Sequence, residues 1–250
     1  MRQTSLFSRI EEETKRLDGE RYIVAFSGGK DSTALALKLS ELGADIRLIF
    51  TPTGNELPGV IEHIERVATM TGSELIIPDC PTLAELIEEQ DCLPSWRMRW
   101  CTRMIKIEPC LEWFQKNPGN RLAVGLRADE QGRKGGTYDD LCNLVYPLRE
   151  WGWALGDVVE YLERKEICIP RRTDCAVCFY QTLYELHILF RDHQEHYKQG
   201  EAWEAQTGHS FRSPTKDKWP GKMCELRPLF EQGWIPTTRN RGDSCRVCSM

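Results

Sequence analysis

Several features that would settle the class of this chain are missing. No apolar run is long enough to span a bilayer: the longest stretches, such as residues 22–26 and the largely apolar 46–50, are of strand length. Residues 1–4 are not followed by an apolar signal region, so a soluble, cytoplasmic protein is expected. There is no low-complexity tract and no internal repeat, which argues against disordered, collagenous and solenoid architectures. Positive charge is not in excess either. The formal net charge is −5 and the pI about 5.7, which speaks against a globally basic nucleic-acid binder but leaves room for a local basic groove. Histidines are few, 5 in 250 residues, and none falls at a short metal-binding spacing to a cysteine.

What is present is a chain of ordinary globular composition, 40% hydrophobic and 28% charged. At roughly 150 residues per domain this is one large domain, or one domain with an appendage. Residues 21–26 form a continuous apolar run of strand length, residues 33–42 a helix stopped at Gly43, and residues 46–50 a second strand. A helix over 58–71, a strand over 73–77, a helix over 83–89, a strand over 121–126 and a helix over 154–164 continue the alternation. A helix is also expected before the first strand, on Leu6, Ile10 and Leu17. This order predicts an α/β fold with a parallel sheet covered by helices. Past Pro170 the alternation stops, so the chain divides into an α/β region, 1–170, and a Cys-rich helix-and-loop region, 171–250.

The first strand runs into Ser27-Gly28-Gly29-Lys30-Asp31-Ser32. Glycines let backbone approach an anion, the following helix presents its N-terminus, and Lys30 adds charge, so the loop is read as a phosphate site. It is not a Walker loop, whose glycines are spaced further apart. A plain strand-to-helix turn would not need this concentration of glycine, lysine and hydroxyl groups.

The hexapeptide resembles the pyrophosphate-binding loop of the adenine nucleotide alpha-hydrolase superfamily, also called PP-loop ATP pyrophosphatases. The segments that follow resemble its phosphoadenylyl-sulfate (PAPS) reductase branch: residues 51–58 after the second strand, 99–109 around Cys101, 125–130 with Arg127, and 146–161. The resemblance implies a Rossmann-like sheet with helices on both faces. An adenine nucleotide, ATP with Mg2+, would sit at the carboxyl ends of the strands, held by residues 27–32, Thr53, Gly54 and Arg127. Lys30 and Arg127 are the expected catalytic cations. Asp31 and Asp129 are candidate magnesium partners, or simply solvated or capping carboxylates. In this superfamily an acceptor oxygen attacks the alpha-phosphate and pyrophosphate leaves. Branch members that split ATP retain the lysine-containing loop, as this chain does, whereas reductases of preformed sulfonucleotides often lack that lysine.

The resemblance implies three functional readings. The first is an ATP-dependent adenylating enzyme preparing a nucleic acid or metabolite for sulfur transfer. The second is a sulfonucleotide reductase attacking with Cys245 or Cys248, although the tail departs from that reductase motif. The third is a nucleotide-sensing subunit. Implied partners are the nucleotide, the acceptor, a sulfur-donor protein and further copies of the chain, with no membrane.

Eleven cysteines without a secretion signal point to metal, redox or catalytic thiols rather than a disulfide framework. Cys175-x-x-Cys178 and Cys245-x-x-Cys248 are two pairs that together make one four-sulfur site. The branch resemblance offers Cys101 as a competing ligand beside Cys175 and Cys178, and favours a [4Fe-4S] cluster over structural zinc. A metal-free dithiol is the remaining alternative. Arg97, Arg99, Arg103, Lys106, Arg171 and Arg172 are read either as a basic lip for a polyanion or as a charge-balanced face. Trp96, Trp100, Trp151 and Trp153 are read as core residues or as base-stacking ones.

Overall fold

A computed structural model describes residues 21–130 and 142–237, together with Leu17 and Gly132. The helix expected around Leu6 and Ile10, most of the loop after Glu130, and both tail cysteines lie outside the described residues.

Five parallel strands form the sheet: β1 (Arg21–Ala25), β2 (Asp45–Ile49), β3 (Leu75–Ile76), β4 (Arg121–Ala123) and β5 (Asn143–Val145), in the order β3-β2-β1-β4-β5. Tyr22 lies opposite both Ile46 and Arg121, so β1 is the centre of the sheet. Its apolar run is continuous because both faces are buried. Tyr22, Val24 and Phe26 pack with Ile46, Leu48 and Phe50 on one side, whereas Ile23 packs with Ile49, Ile76 and Leu122 on the other.

The first face is covered by α1 (Lys30–Glu41), α2 (Pro58–Thr71) and α6 (Leu155–Arg164). On the opposite face α4 (Glu108–Lys116) inserts Phe114, which is 2% exposed. Between them in the chain run α3 (Leu83–Gln90) and α5 (Pro147–Glu150). The Rossmann-like α/β expectation therefore holds, with helices on both faces of the sheet.

Two elements differ from the sequence expectation. The strand β5 was not foreseen, because three residues are too few to show a period. The segment after Cys101 opens with a π-helical stretch over Thr102–Ile107 before tightening into α4. Pro109 stands just after the wide turn, where it has no N–H to donate to the preceding turn.

Beyond residue 170 the chain forms α7 (Leu183–Asp192), α8 (Gln194–Thr207) and α9 (Met223–Glu231). Their core is shared with the α/β region: Leu83, Leu86, Ile87 and Ile105 pack with Val177, Leu186, Tyr197 and Phe230. The helices are joined by a buried carboxylate. Glu204 accepts from Phe211 N at 3.0 Å and Met223 N at 2.6 Å, tying the loop between α8 and α9 to α8.

Candidate nucleotide and thiol site

The chain reverses direction across the sheet between β1 and β4, the place where open parallel sheets bind their ligands. The glycine-rich loop leaves β1 at this point. Gly28 turns it at φ 72°, a conformation few L side chains adopt, and a Cβ there would approach Ile64 Cγ1 to 3.2 Å. Ser32 Oγ donates to Gly29 O at 3.1 Å and accepts from Ser27 N at 3.4 Å, while Gly29 N donates to Ser27 Oγ at 3.4 Å. The two serines thus brace the loop from within. No side chain caps the N-terminus of α1, so its first-turn amides are left for an anion. Lys30, half-buried at the start of α1, has no ion-pair or hydrogen-bond partner among the described residues.

The segment after β4 closes over this loop. A Cβ on Gly125 would stand 3.0 Å from Asp31 C and 3.1 Å from Ser32 N, so backbone meets backbone here. Two residues on, Arg127 is only 3% exposed. Its Nη1 donates to Asp31 Oδ2 at 2.7 Å and its Nε to Asp129 Oδ1 at 3.0 Å, with Glu130 Oε1 at 3.6 Å from Nη2. The guanidinium expected as a phosphate clamp is at the loop but turned onto carboxylates. Burial opposes its charge, and the three acids more than restore it, holding Arg127 above its ordinary range. Burial pushes the Asp31 carboxyl up, and Arg127 only partly pulls it back. Asp31 Oδ1 is buried without a hydrogen-bond partner. A buried oxygen with no partner, among three carboxylates sharing one guanidinium, is a fitting ligand for a hard cation.

Two supporting residues carry no local signal in the sequence. His63 of α2 is 2% exposed, its Nδ1 facing Arg66 Nη2 at 2.8 Å and its Nε2 facing Thr33 Oγ1 at 3.1 Å. Because Arg66 can only donate, Nδ1 must accept and the proton belongs on Nε2. Burial, reinforced by Arg66, holds His63 neutral, with its pKa lowered to about 4. Arg149 of α5 is the second: its Nη2 donates to Glu130 O at 2.7 Å and fixes the turn that carries Arg127.

Thr53 and Gly54 follow β2 on the same rim. Thr53 N and Oγ1 both donate to Glu56 Oε1, at 2.7 and 2.6 Å, so this turn is closed on itself. It is also one wall of the cysteine region. Ala176 N donates to Asn55 O at 2.6 Å, Asn55 Nδ2 to Val177 O at 3.0 Å, and Cys175 Sγ to Thr53 Oγ1 across 3.5 Å. From the same polypeptide stretch, Thr173 Oγ1 would stand 3.3 Å from a Cβ on Gly29.

Cys101, Cys175 and Cys178 line one small cavity of about 30 Å³, together with Thr53, Arg99, Lys106 and Tyr180. That is room for an ion or a water or two, not for a nucleobase. Burial pushes the Cys178 thiol up to about 12, with Cys175 adding to the effect, and burial likewise raises Cys101. Three thiols are a soft donor set suited to zinc or an iron-sulfur centre. Among the described residues, however, no group of three or more His, Cys, Asp or Glu side chains is arranged to hold a metal ion. Cys245 and Cys248 lie outside the described residues, so the structure brings Cys175 and Cys178 to Cys101 and leaves the pairing of the two Cys-x-x-Cys motifs unassigned.

The tryptophans divide between the two readings. Trp151 and Trp153 pack against the sheet core and Trp100 against the second core, whereas Trp96 is 61% exposed. No helix among the described residues is long and apolar enough to cross a membrane.

Comparison with known proteins agrees with this geometry. Among solved structures, the phosphate complex of the PAPS reductase from Candida auris superposes with a TM-score of 0.50 at 17% identity, covering 64% of this chain and 80% of that one. An uncharacterized protein of Methanocaldococcus jannaschii is 35% identical over 196 residues, 73% of this chain and 40% of the relative. A second protein of that organism is 27% identical over 135 residues, 51% of this chain and 32% of the relative. The chain thus spans less than half the length of either of these two relatives. The family model of the phosphoadenosine phosphosulfate reductase domain matches residues 21–171, which contain the glycine-rich loop, Thr53, Cys101 and Arg127. On that match, the chain belongs to the phosphoadenosine phosphosulfate reductase domain family.

Proposed function

We propose that the protein is an ATP pyrophosphatase that adenylates an acceptor, preparing it for sulfur transfer. The observation that carries this reading is Lys30, held at the N-terminus of α1 with no partner among the described residues, beside a glycine loop whose first-turn amides are uncapped. An acceptor oxygen attacks the alpha-phosphorus of ATP, the bond to the bridging oxygen of the beta-phosphate breaks, and pyrophosphate departs with the electron pair. The acceptor's proton passes to solvent. Negative charge grows on the leaving pyrophosphate, where loop amides and Lys30 stabilise it more in the transition state than in bound ATP. Mg2+ would neutralise the phosphates, with Asp31 Oδ1 as its protein ligand. Arg127 acts by holding Asp31 and the loop in place rather than as a free clamp.

The thiol cavity abuts the nucleotide loop through Thr53 and Thr173, which suits delivery of sulfur to an acceptor activated there. Cys101, Cys175 and Cys178 would hold a metal centre completed by Cys245 or Cys248; the family resemblance favours a [4Fe-4S] cluster over zinc. The chemistry of the donor set supports this assignment, and such a centre would fix the Cys-x-x-Cys loop against Thr53. Metal analysis of the full chain and of Cys175→Ser checks it: iron with sulfide, or zinc, should be present in the first and depleted in the second.

Sulfonucleotide reduction is the competing reading, supported by family membership and by thiols beside the loop. Calorimetric binding separates the two. A non-hydrolysable ATP analogue with Mg2+ should bind more tightly than adenylyl sulfate or its 3′-phosphorylated form, and Lys30→Ala should weaken that binding and any pyrophosphate release about a hundredfold. Tighter binding of either sulfonucleotide, indifferent to Lys30, would reverse the assignment.

A further inference from the structure

The floor beneath the glycine-rich loop comes from another helix. A Cβ on Gly28 would meet Ile64 Cγ1 at 3.2 Å and His63 Cδ2 at 3.6 Å, so α2 lies directly against the turn. From there the His63 ring reaches the first turn of α1. Its Nε2–H donates to Thr33 Oγ1 at 3.1 Å, and Thr33 N donates in turn to Gly29 O at 2.9 Å. Thr33 and His63 are 0% and 2% exposed, so solvent does not compete for the bond between them.

The far side of the ring is fixed by Arg66. Its Nη2 donates to His63 Nδ1 at 2.8 Å and to Cys168 O at 2.9 Å. Arg66 thereby ties α2 to the segment after α6, and further along that segment Thr173 Oγ1 would stand 3.3 Å from a Cβ on Gly29. The loop is met by α2 at Gly28 and by the Thr173 segment at Gly29, and the His63–Arg66 pair joins those two supports. An imidazolium here would attract phosphate by its charge. Arg66 opposes that form, because a protonated Nδ1 would set one N–H against another. What the neutral ring offers is geometry: a flat, stiff spacer that donates at one nitrogen, accepts at the other, and fixes the turn whose amides and Lys30 face the anion.

We propose that His63 is a positioning residue for the phosphate loop: through Thr33 it sets the first turn of α1 in the orientation that binds a pyrophosphate group, without touching the ligand itself. The proposal rests on the reading of this loop as the nucleotide site, and it deepens that reading by naming what holds the site in shape.

Calorimetry on the full chain tests it with three probes: a non-hydrolysable ATP analogue with Mg2+, inorganic pyrophosphate with Mg2+, and adenosine. His63→Leu keeps an apolar body under Gly28 but neither hydrogen bond. It should weaken the two phosphate ligands about tenfold and leave adenosine unchanged. His63→Gln can donate to Thr33 through its amide nitrogen and accept from Arg66 through its oxygen, and should restore most of the loss. Thr33→Val removes the same bond from the α1 side and should give the same selective loss, which decides the matter should His63→Leu fail to fold. Equal weakening of all three ligands, no rescue by His63→Gln, or unchanged pyrophosphate affinity would each overturn the proposal. Lys30→Ala keeps its failure apart from failure of the nucleotide reading. If Lys30→Ala weakens both phosphate ligands while His63→Leu and Thr33→Val do not, the loop remains the phosphate site and His63 loses its role. If the unmutated chain binds neither phosphate ligand, both fall.

Discussion

The glycine-rich loop and the cysteine cavity share one rim of the sheet, yet they are built in opposite ways. The loop is a local object, a strand, six residues and a helix, braced by Ser27 and Ser32 within its own span. The cavity is assembled from distant pieces, with Asn55 reaching Val177 across 122 positions and Cys101 standing on a different element from Cys175. The loop is stiffened by buried charge and the cavity by hydrogen bonds from the backbone and side chain of Asn55 to the Cys175–Cys178 stretch. A local motif can be read from the chain, whereas an assembled cavity depends on contacts that no window of sequence contains.

The sharpest way to break the loop side is to remove its buried cation. Arg127→Ala leaves Asp31 desolvated and unpaired beside Asp129 and Glu130, and should cost about 3–5 kcal/mol in urea denaturation. Arg127→Lys should recover part of that loss, because one ammonium cannot reproduce the fork. A loss under about 1 kcal/mol would mean that the acids carry protons already.

Acid should act more gently and at a second point. His63 titrates near 6.5 when unfolded and about 4 when folded, so the unfolded state binds the proton first. Stability is therefore full above pH 6.5, falls as pH drops from 6.5 towards 4, and flattens below. The contribution lost is about 3 kcal/mol. His63→Gln, whose amide can still donate to Thr33, should remove that slope in denaturation measured across the same window.

On the cavity side, Asn55→Ala strands the Val177 carbonyl and should cost about 1–3 kcal/mol. The loss should be local: thiol-reagent rates at Cys175 and Cys178 should rise while nucleotide affinity changes little. Equal loosening of both sites would show that they are one unit and not two.

The least effect on stability belongs to the exposed Trp96, where Trp96→Ala should stay within about 0.5 kcal/mol of the parent in thermal unfolding, since the indole supports no core.

Legibility followed the same division. The parallel sheet could be read because Tyr22, Ile23 and Val24 are buried on alternating faces and so form an unbroken apolar run. Ser27 to Ser32 could be read because glycines, lysine and hydroxyls crowd one strand-to-helix turn. His63 could not, since a single histidine in an amphipathic helix looks the same whether it faces solvent or Thr33. Nor could the commitment of Arg127: the sequence places an arginine after β4, but only packing turns it onto Asp31 rather than outward. The strand β5 was too short to declare itself, and the wide turn over Thr102–Ile107 has no periodicity of its own.

Gly125, just after β4, packs against the first turn of α1 beside the switch point. Where side chains separate two loops, a rotamer change can absorb a shift in one of them. Here the main chain after β4 rests directly on the main chain of Asp31 and Ser32, with no rotatable group between them. The two loops form one continuous wall, so a displacement of the phosphate-side backbone presses directly on the segment after β4.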